Sequence, residues 1–114
     1  MLGTPGADNQ VQVNAQLVDA LVDFGCDPHT AVEYPRWSSN QDGQAGASGS
    51  ANPSLVIETS FGSEVLTELS AGGHELQLVA PLGGPGSAEI IRISDNGLRI
   101  AGSDPRRDGW AAAF

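Results

Sequence analysis

Apolar residues between positions 10 and 24 recur at helical spacing. Val13, Leu17, Ala20, Leu21 and Phe24 form one stripe, and Val11, Ala15, Val18 and Val22 form a second beside it. Gln12, Gln16, Asp19 and Asp23 make a narrow polar strip. So wide an apolar arc predicts a helix over 10–24 that is buried between layers, not one lying on a surface. Asp8 or Asn9 is placed to cap its start. Gly25 is placed to end it in a left-handed conformation. Ahead of it, Gly3-Thr4-Pro5-Gly6 has Pro second and Gly after it, the order a type II turn prefers.

Asp27-Pro28 then reads as a cap followed by a first helical residue. The short helix runs over 29–34 and stops at Pro35, after which Arg36-Trp37 leads out. Residues 38–53, SSNQDGQAGASGSANP, contain no apolar side chain larger than Ala. They predict a flexible loop and the best internal boundary. Beyond it, 54–60 reads as a strand with Leu55 and Ile57 on one face and Val56 on the other. Residues 62–71 read as a helix with Val65, Leu66 and Leu69 as its apolar face, ended by Gly72-Gly73. Residues 74–79 alternate, Leu76 and Leu78 against Glu75 and Gln77, as a strand does. GGPGS is a turn. Strands over 88–93 and 98–101 are joined around Asp95-Asn96-Gly97, a strong hairpin signal. Ser103 to Gly109 reads as another turn, and 110–114 closes on apolar residues. The order of elements gives a mixed α+β class with no internal repeat.

Length and charge narrow the picture. The chain has 114 residues, one domain or a piece of one. Aromatic residues are 5% of the chain, thin for a self-sufficient core, which leaves room for a further segment that completes it. The formal net charge is −9, a surface that repels nucleic-acid phosphates and anionic lipid. No run approaches the roughly 20 apolar residues of a membrane span. The first ten residues lack the basic start and apolar stretch of a signal peptide. The expectation is therefore no nucleic-acid partner and no membrane. Cys26 is the single cysteine, and reads as a small buried residue near a helix end.

Little of the chain looks like a reaction centre. His29 and His74 have no Ser or Cys beside them in a recognisable arrangement and read as cap or surface residues. Glu64 and Glu68 are four apart on one helix face, the spacing of a solvated stripe. Asp104 and Asp108 flank two arginines. The bland reading is that Asp104 bonds its own backbone in a turn while the arginines pair with carboxylates. No metal-ligand cluster is visible, and no cofactor is expected. The opening turn is the exception: a Pro-Gly turn feeding a helix leaves backbone N–H groups unpaired and pointing one way, and the helix dipole adds positive potential there. Such a place can hold an anion or a developing oxyanion, although on shape alone the signal is weak.

Ordered markers then add to that reading. Gly3-Thr4-Pro5-Gly6-Ala7-Asp8, Asp23-Phe24-Gly25, Ala31-Val32-Glu33-Tyr34-Pro35-Arg36-Trp37, Glu64-Val65-Leu66 with Gly73-His74, and Ser103-Asp104-Pro105-Arg106-Arg107-Asp108-Gly109 follow one another along nearly the whole chain. In this order they resemble the C-terminal part of the small subunit of γ-glutamyltransferases. The resemblance implies part of an N-terminal-nucleophile hydrolase, an α-β-β-α sandwich, with residues 1–114 forming the C-terminal portion. It implies a Thr nucleophile, exposed by self-cleavage, that attacks a γ-glutamyl amide and passes the acyl group to water or an amine. It also implies that Gly6 and Ala7 supply oxyanion-hole N–H groups. The family's second Gly is Ala7 here, which keeps the N–H and adds a methyl group beside the acyl pocket. The nucleophile segment and the residues holding the substrate's α-amino and α-carboxylate groups lie upstream in the family. None of Thr4, Thr30, Thr59 or Thr67 stands in that context.

The expectation is thus a fragment of a γ-glutamyltransferase or related amidohydrolase. Its partners are a small amide substrate and the rest of the parent enzyme, and it has no turnover by itself. The alternative is a truncated, catalytically dead module with a binding or structural role. A third reading, an unrelated small acidic α+β domain, is disfavoured by the ordered markers.

Overall fold

The computed structural model describes residues 1–5, 9–39 and 54–112. The elements in chain order are β1 (Leu2–Gly3), α1 (Asn9–Val22), α2 (Pro28–Glu33), β2 (Trp37–Ser39), β3 (Ser54–Glu58), a 3-10 turn (Thr59–Phe61), α3 (Ser63–Ala71), β4 (Glu75–Val79), β5 (Glu89–Ile93) and β6 (Arg99–Ser103). The α+β class is as the sequence pattern indicated. The chain divides into two compact units, residues 1–34 with 86–114, and residues 35–85.

In the first unit an antiparallel sheet has the order β1-β5-β6. Leu2 pairs with Ile90 and Gly3 with Glu89. Gly3 therefore closes a strand, and the expected turn from Gly3 to Gly6 runs into residues 6–8, which lie outside the described ones. The β5–β6 hairpin runs from Glu89 opposite Ser103 to Ile93 opposite Arg99. Its loop closes through Ser94 N–H to Leu98 O (2.9 Å) and Gly97 N–H to Ser94 O (2.8 Å), at the expected Asn96-Gly97 pair. Helix α2 packs on β5 and β6, and α1 packs on α2. Val13, Leu17, Ala20, Ala31, Val32, Ala88 and Ile90 form the core, with Leu2, Leu21 and Cys26 against it. Burying each of the larger ones stabilises by roughly 1.5–3 kcal/mol. Cys26 is half-buried, not fully buried as expected.

Helix ends follow their local signals. Gly25 has φ +66°, the left-handed conformation expected of it, and Cys26 N–H donates to Ala20 O at 2.9 Å. The Asp27 side chain accepts from His29 N–H (2.9 Å) and Thr30 N–H (3.2 Å), with Pro28 first in the helix. Two expectations fail. Helix α1 begins at Asn9 and ends at Val22, shorter than 10–24 at its far end. Its second stripe is also not buried: Val11 is 76% and Val22 72% exposed, and Val18 is exposed too. Only the Val13–Leu17–Ala20 stripe faces the core, because the first unit offers a single layer for α1 to pack against.

In the second unit the sheet order is β2-β3-β4, β2 antiparallel and β4 parallel to β3. Parallel neighbours need a crossover, which the 3-10 turn and α3 supply. Strand β2 was not anticipated. Trp37–Ser39 pairs with Ile57 to Leu55, so Ser38 and Ser39 of the loop expected over 38–53 are in a strand, and residues 40–53 lie outside the described ones. Ile57 is the one fully buried hydrophobic side chain of this unit among the described residues. Val65, Leu66 and Leu69 of α3 are none of them fully buried.

Candidate functional site

The chain entering the opening turn is fixed from α1. Thr4 is buried. Its hydroxyl donates to Asn14 Oδ1 at 2.9 Å, and the Gln10 side-chain amide donates to the Thr4 carbonyl oxygen. Asn14 and Gln10 stand one helical turn apart, so one face of α1 grips both polar groups of Thr4. Gly86 crowds the same place: a Cβ there would sit 3.3 Å from Val13 Cγ2 and 3.8 Å from the Pro5 carbonyl oxygen. Gly6, Ala7 and Asp8, the expected oxyanion-hole positions and a candidate cap, lie outside the described residues. Asn9, the other candidate cap, is the first helical residue.

The Ser103–Gly109 turn does more than its local pattern shows. The Asp104 carboxylate accepts from Arg106 N–H at 3.0 Å, the self-bonded turn that the bland reading describes. Its Oδ1 also meets Arg106 Nη1 at 3.1 Å, both side chains fully buried. Arg106 then donates from Nη1 to Val32 O (2.8 Å) and from Nη2 to Tyr34 O (3.0 Å). A helix leaves its last carbonyls without internal donors. A planar guanidinium with forked donors meets two of them at once, with positive charge at the negative end of the dipole. Thus Arg106 ties one sequence marker to another, Ala31 to Tyr34. Asp104 N–H donates to Ala88 O at 3.0 Å, which fixes the turn to the sheet.

Within the second unit, Arg36 and Glu58 are each 1% exposed. Glu58 N–H donates to Arg36 O at 3.0 Å, and Glu58 Oε1 accepts from Gly84 N–H at 2.8 Å. Burial of these two charged side chains was not legible in the sequence, where Arg36 figured as a lead-out residue and part of a family marker and Glu58 as a strand residue. A cleft of about 410 Å³ in this unit is lined by Trp37, Leu55, Ile57, Phe61, Val65 and Leu69, with His74 and Glu75 among its polar residues.

The remaining candidates scatter. His29 is exposed and lies 3.5 Å from Glu33. His74, Glu64 and Glu68 are exposed on the second unit, and Asp108 is exposed on the first. No nucleophile–base pair forms around either histidine among the described residues. Nor, among them, does any group of three His, Cys, Asp or Glu suit a metal, and no helix is long and apolar enough to cross a membrane. Hydrogen bonds from the Thr30 hydroxyl, then its N–H, hold the exposed Asp27 carboxyl below its ordinary 3.8.

A family model described as gamma-glutamyltranspeptidase matches residues 1–114. The glutathione hydrolase-like YwrD proenzyme of Bacillus subtilis (strain 168) is 29% identical over 117 residues, covering all of this chain and 21% of that protein. Cephalosporin acylase from Bacillus halodurans superimposes with a TM-score of 0.80 at 29% identity, over 99% of this chain and 19% of that one. Gamma-glutamyltranspeptidase from Pseudomonas nitroreducens, solved with L-DON, gives 0.78 at 22% identity, over 99% and 54%. The chain spans about a fifth of the length of the curated relatives it matches.

Proposed function

The chain belongs to the gamma-glutamyltranspeptidase family, and from that premise we propose that it is the C-terminal portion of a small subunit, supplying the oxyanion-hole turn of an amide-cleaving enzyme. The match of the family model to every residue from 1 to 114 carries this reading. In it, an upstream Thr hydroxyl attacks the carbonyl of a γ-glutamyl or related amide. The backbone N–H groups of Gly6 and Ala7 receive the negative charge that develops on the carbonyl oxygen. They act without reorganising, the condition under which such donors are worth most. The amine leaves, and water or a second amine takes the acyl group from Thr. The relatives bear names of different acyl chemistries, a glutathione hydrolase-like proenzyme and a cephalosporin acylase, so the leaving amine and the acyl group both remain variables of the parent.

The chain's sheet favours the sandwich reading. Helix α2 covers one face of β5 and β6, where Ile90 is buried, while Ile91 and Ile93 point from the other face and are exposed. An apolar sheet face is the surface on which a second sheet packs. Reading the DNA upstream of Met1 tests the proposal. An in-frame Thr-containing processing segment supports it. An upstream stop with no such segment defeats it.

A further inference from the structure

The Asn96-Gly97 pair that turns the β5–β6 hairpin is also a reactive sequence, because an asparagine side chain is open to attack by the backbone nitrogen of the residue after it. Glycine in that place puts no side chain in the way of the attack. Asn9 and Asn14 stand in α1, followed by Gln10 and Ala15. Asn40 is followed by Gln41, and Asn52 by Pro53, which has no N–H. We propose that Asn96 is a deamidation site of this chain, and that opening of the hairpin turn sets its rate. Residues 95–98 are exposed. No atom beyond the neighbouring residues lies within 4 Å of where a β-carbon on Gly97 would stand, so water and hydroxide reach the pair. Both reacting groups are nevertheless held. The Gly97 N–H donates to Ser94 O at 2.8 Å, and Asn96 Oδ1 accepts from Leu98 N–H at 3.1 Å. A hydrogen-bonded amide gives up its proton only when its bond opens. In the opened turn, Gly97 N loses its proton to hydroxide and attacks Asn96 Cγ. The new N–C bond closes a five-membered imide, the bond from Cγ to the side-chain nitrogen breaks, and that nitrogen leaves as ammonia with a proton from water. Water then opens the ring. Cleavage at Cγ gives aspartate at position 96, and cleavage at the main-chain carbonyl gives its β-linked isomer, whose backbone runs through Cγ. Overall one water is consumed and one ammonia released.

The two products differ in what they keep. Aspartate retains an oxygen that accepts from Leu98 N–H. The β-linked isomer lengthens the backbone by one carbon and makes the former side-chain carbonyl a main-chain group, so the bonds that close the turn are lost. The Ile93–Arg99 pair beside the turn loosens with them. The test holds the purified 114-residue chain in mildly alkaline buffer beside the free peptide Ile93–Arg99, the fragment that trypsin releases by cutting after Arg92 and Arg99. Mass spectrometry of that fragment should show exchange of NH2 for OH, in two chromatographically separate products, with Asn9 and Asn14 unmodified over the same time. Conversion in the chain should be about 10-fold slower than in the free peptide, and urea below the unfolding transition should narrow that gap. Slow amide exchange in β5 and β6 of the same sample shows that the hairpin is formed. Asn96 that stays intact after the free peptide has converted overturns the site, and so does earlier conversion of Asn9 or Asn14. Conversion as fast as the peptide's, a gap that urea leaves unchanged, or unprotected β5 and β6 amides overturns the gating by the turn.

Discussion

Arg106 joins the turn at 103–109 to the end of α2. Its guanidinium neutralises Asp104 and caps α2 through Val32 O and Tyr34 O. Truncation leaves a buried carboxylate and two carbonyls without that donor, and breaking a buried pair costs about 3–5 kcal/mol. Against a whole-domain stability of about 5–15 kcal/mol, Arg106→Ala should remove a large share of the first unit's stability without abolishing its fold, seen as faster amide exchange in β5 and β6. Arg106→Lys should lie between, since one ammonium cannot fork to both carbonyls. The Asp104 turn was legible because its bond spans two residues. The reach to Val32 spans 74, and nothing local encodes it. A smaller reserve sits at Leu82, which has φ +59° at the third position of the Ala80–Gly83 turn. A left-handed β-carbon costs about 1–2 kcal/mol, so Leu82→Asn should raise stability by about 1 kcal/mol, measured by denaturant unfolding.

Among the elements, those with caps or period were readable and the shortest were not. Asp27-Pro28, Gly25 and Asn96-Gly97 act through neighbours a few residues away; the α2 cap and the hairpin loop stand where the pattern placed them, and Gly25 takes its left-handed conformation although α1 ends earlier, at Val22. Strands β1 and β2, two and three residues long, carry no alternation and exist through their pairing with β5 and β3. Close approach of elements was equally hidden. A Cβ on Gly102 would collide with the Pro28 carbonyl, where α2 lies directly on β6. Gly102→Ala should therefore destabilise by about 1–3 kcal/mol through overpacking, read as a lower thermal midpoint. The α2 cap is pH-sensitive. Asp27 titrates below its ordinary 3.8 in the folded chain, so its contribution is present above that value and is lost as pH falls through the lowered folded value. Asp27→Asn should flatten the fall of the thermal midpoint below pH of about 4.

For the whole molecule, open apolar surface is the main departure from a self-contained domain. The first unit leaves Val11, Val18 and Val22 of α1 exposed, and Ile91 and Ile93 on the bare face of its sheet. Patches of this kind mark surfaces that pack against something further. Sequence pattern showed the α1 stripe as apolar but could not say whether this chain covers it, since burial depends on layers that periodicity does not count. In isolation the chain should bind a hydrophobic dye and sediment above monomer mass, and Ile93→Thr should reduce both while moving the thermal midpoint little. Its net charge of −9 opposes self-association, so added salt should promote it. The central claim is that this chain brings an oxyanion turn to a nucleophile located elsewhere in its parent. The direct measurement is γ-glutamyl anilide cleavage by the purified 114-residue chain beside the intact parent. Saturable release by the parent and none by the chain is the expected result; saturable release by the chain alone would contradict it.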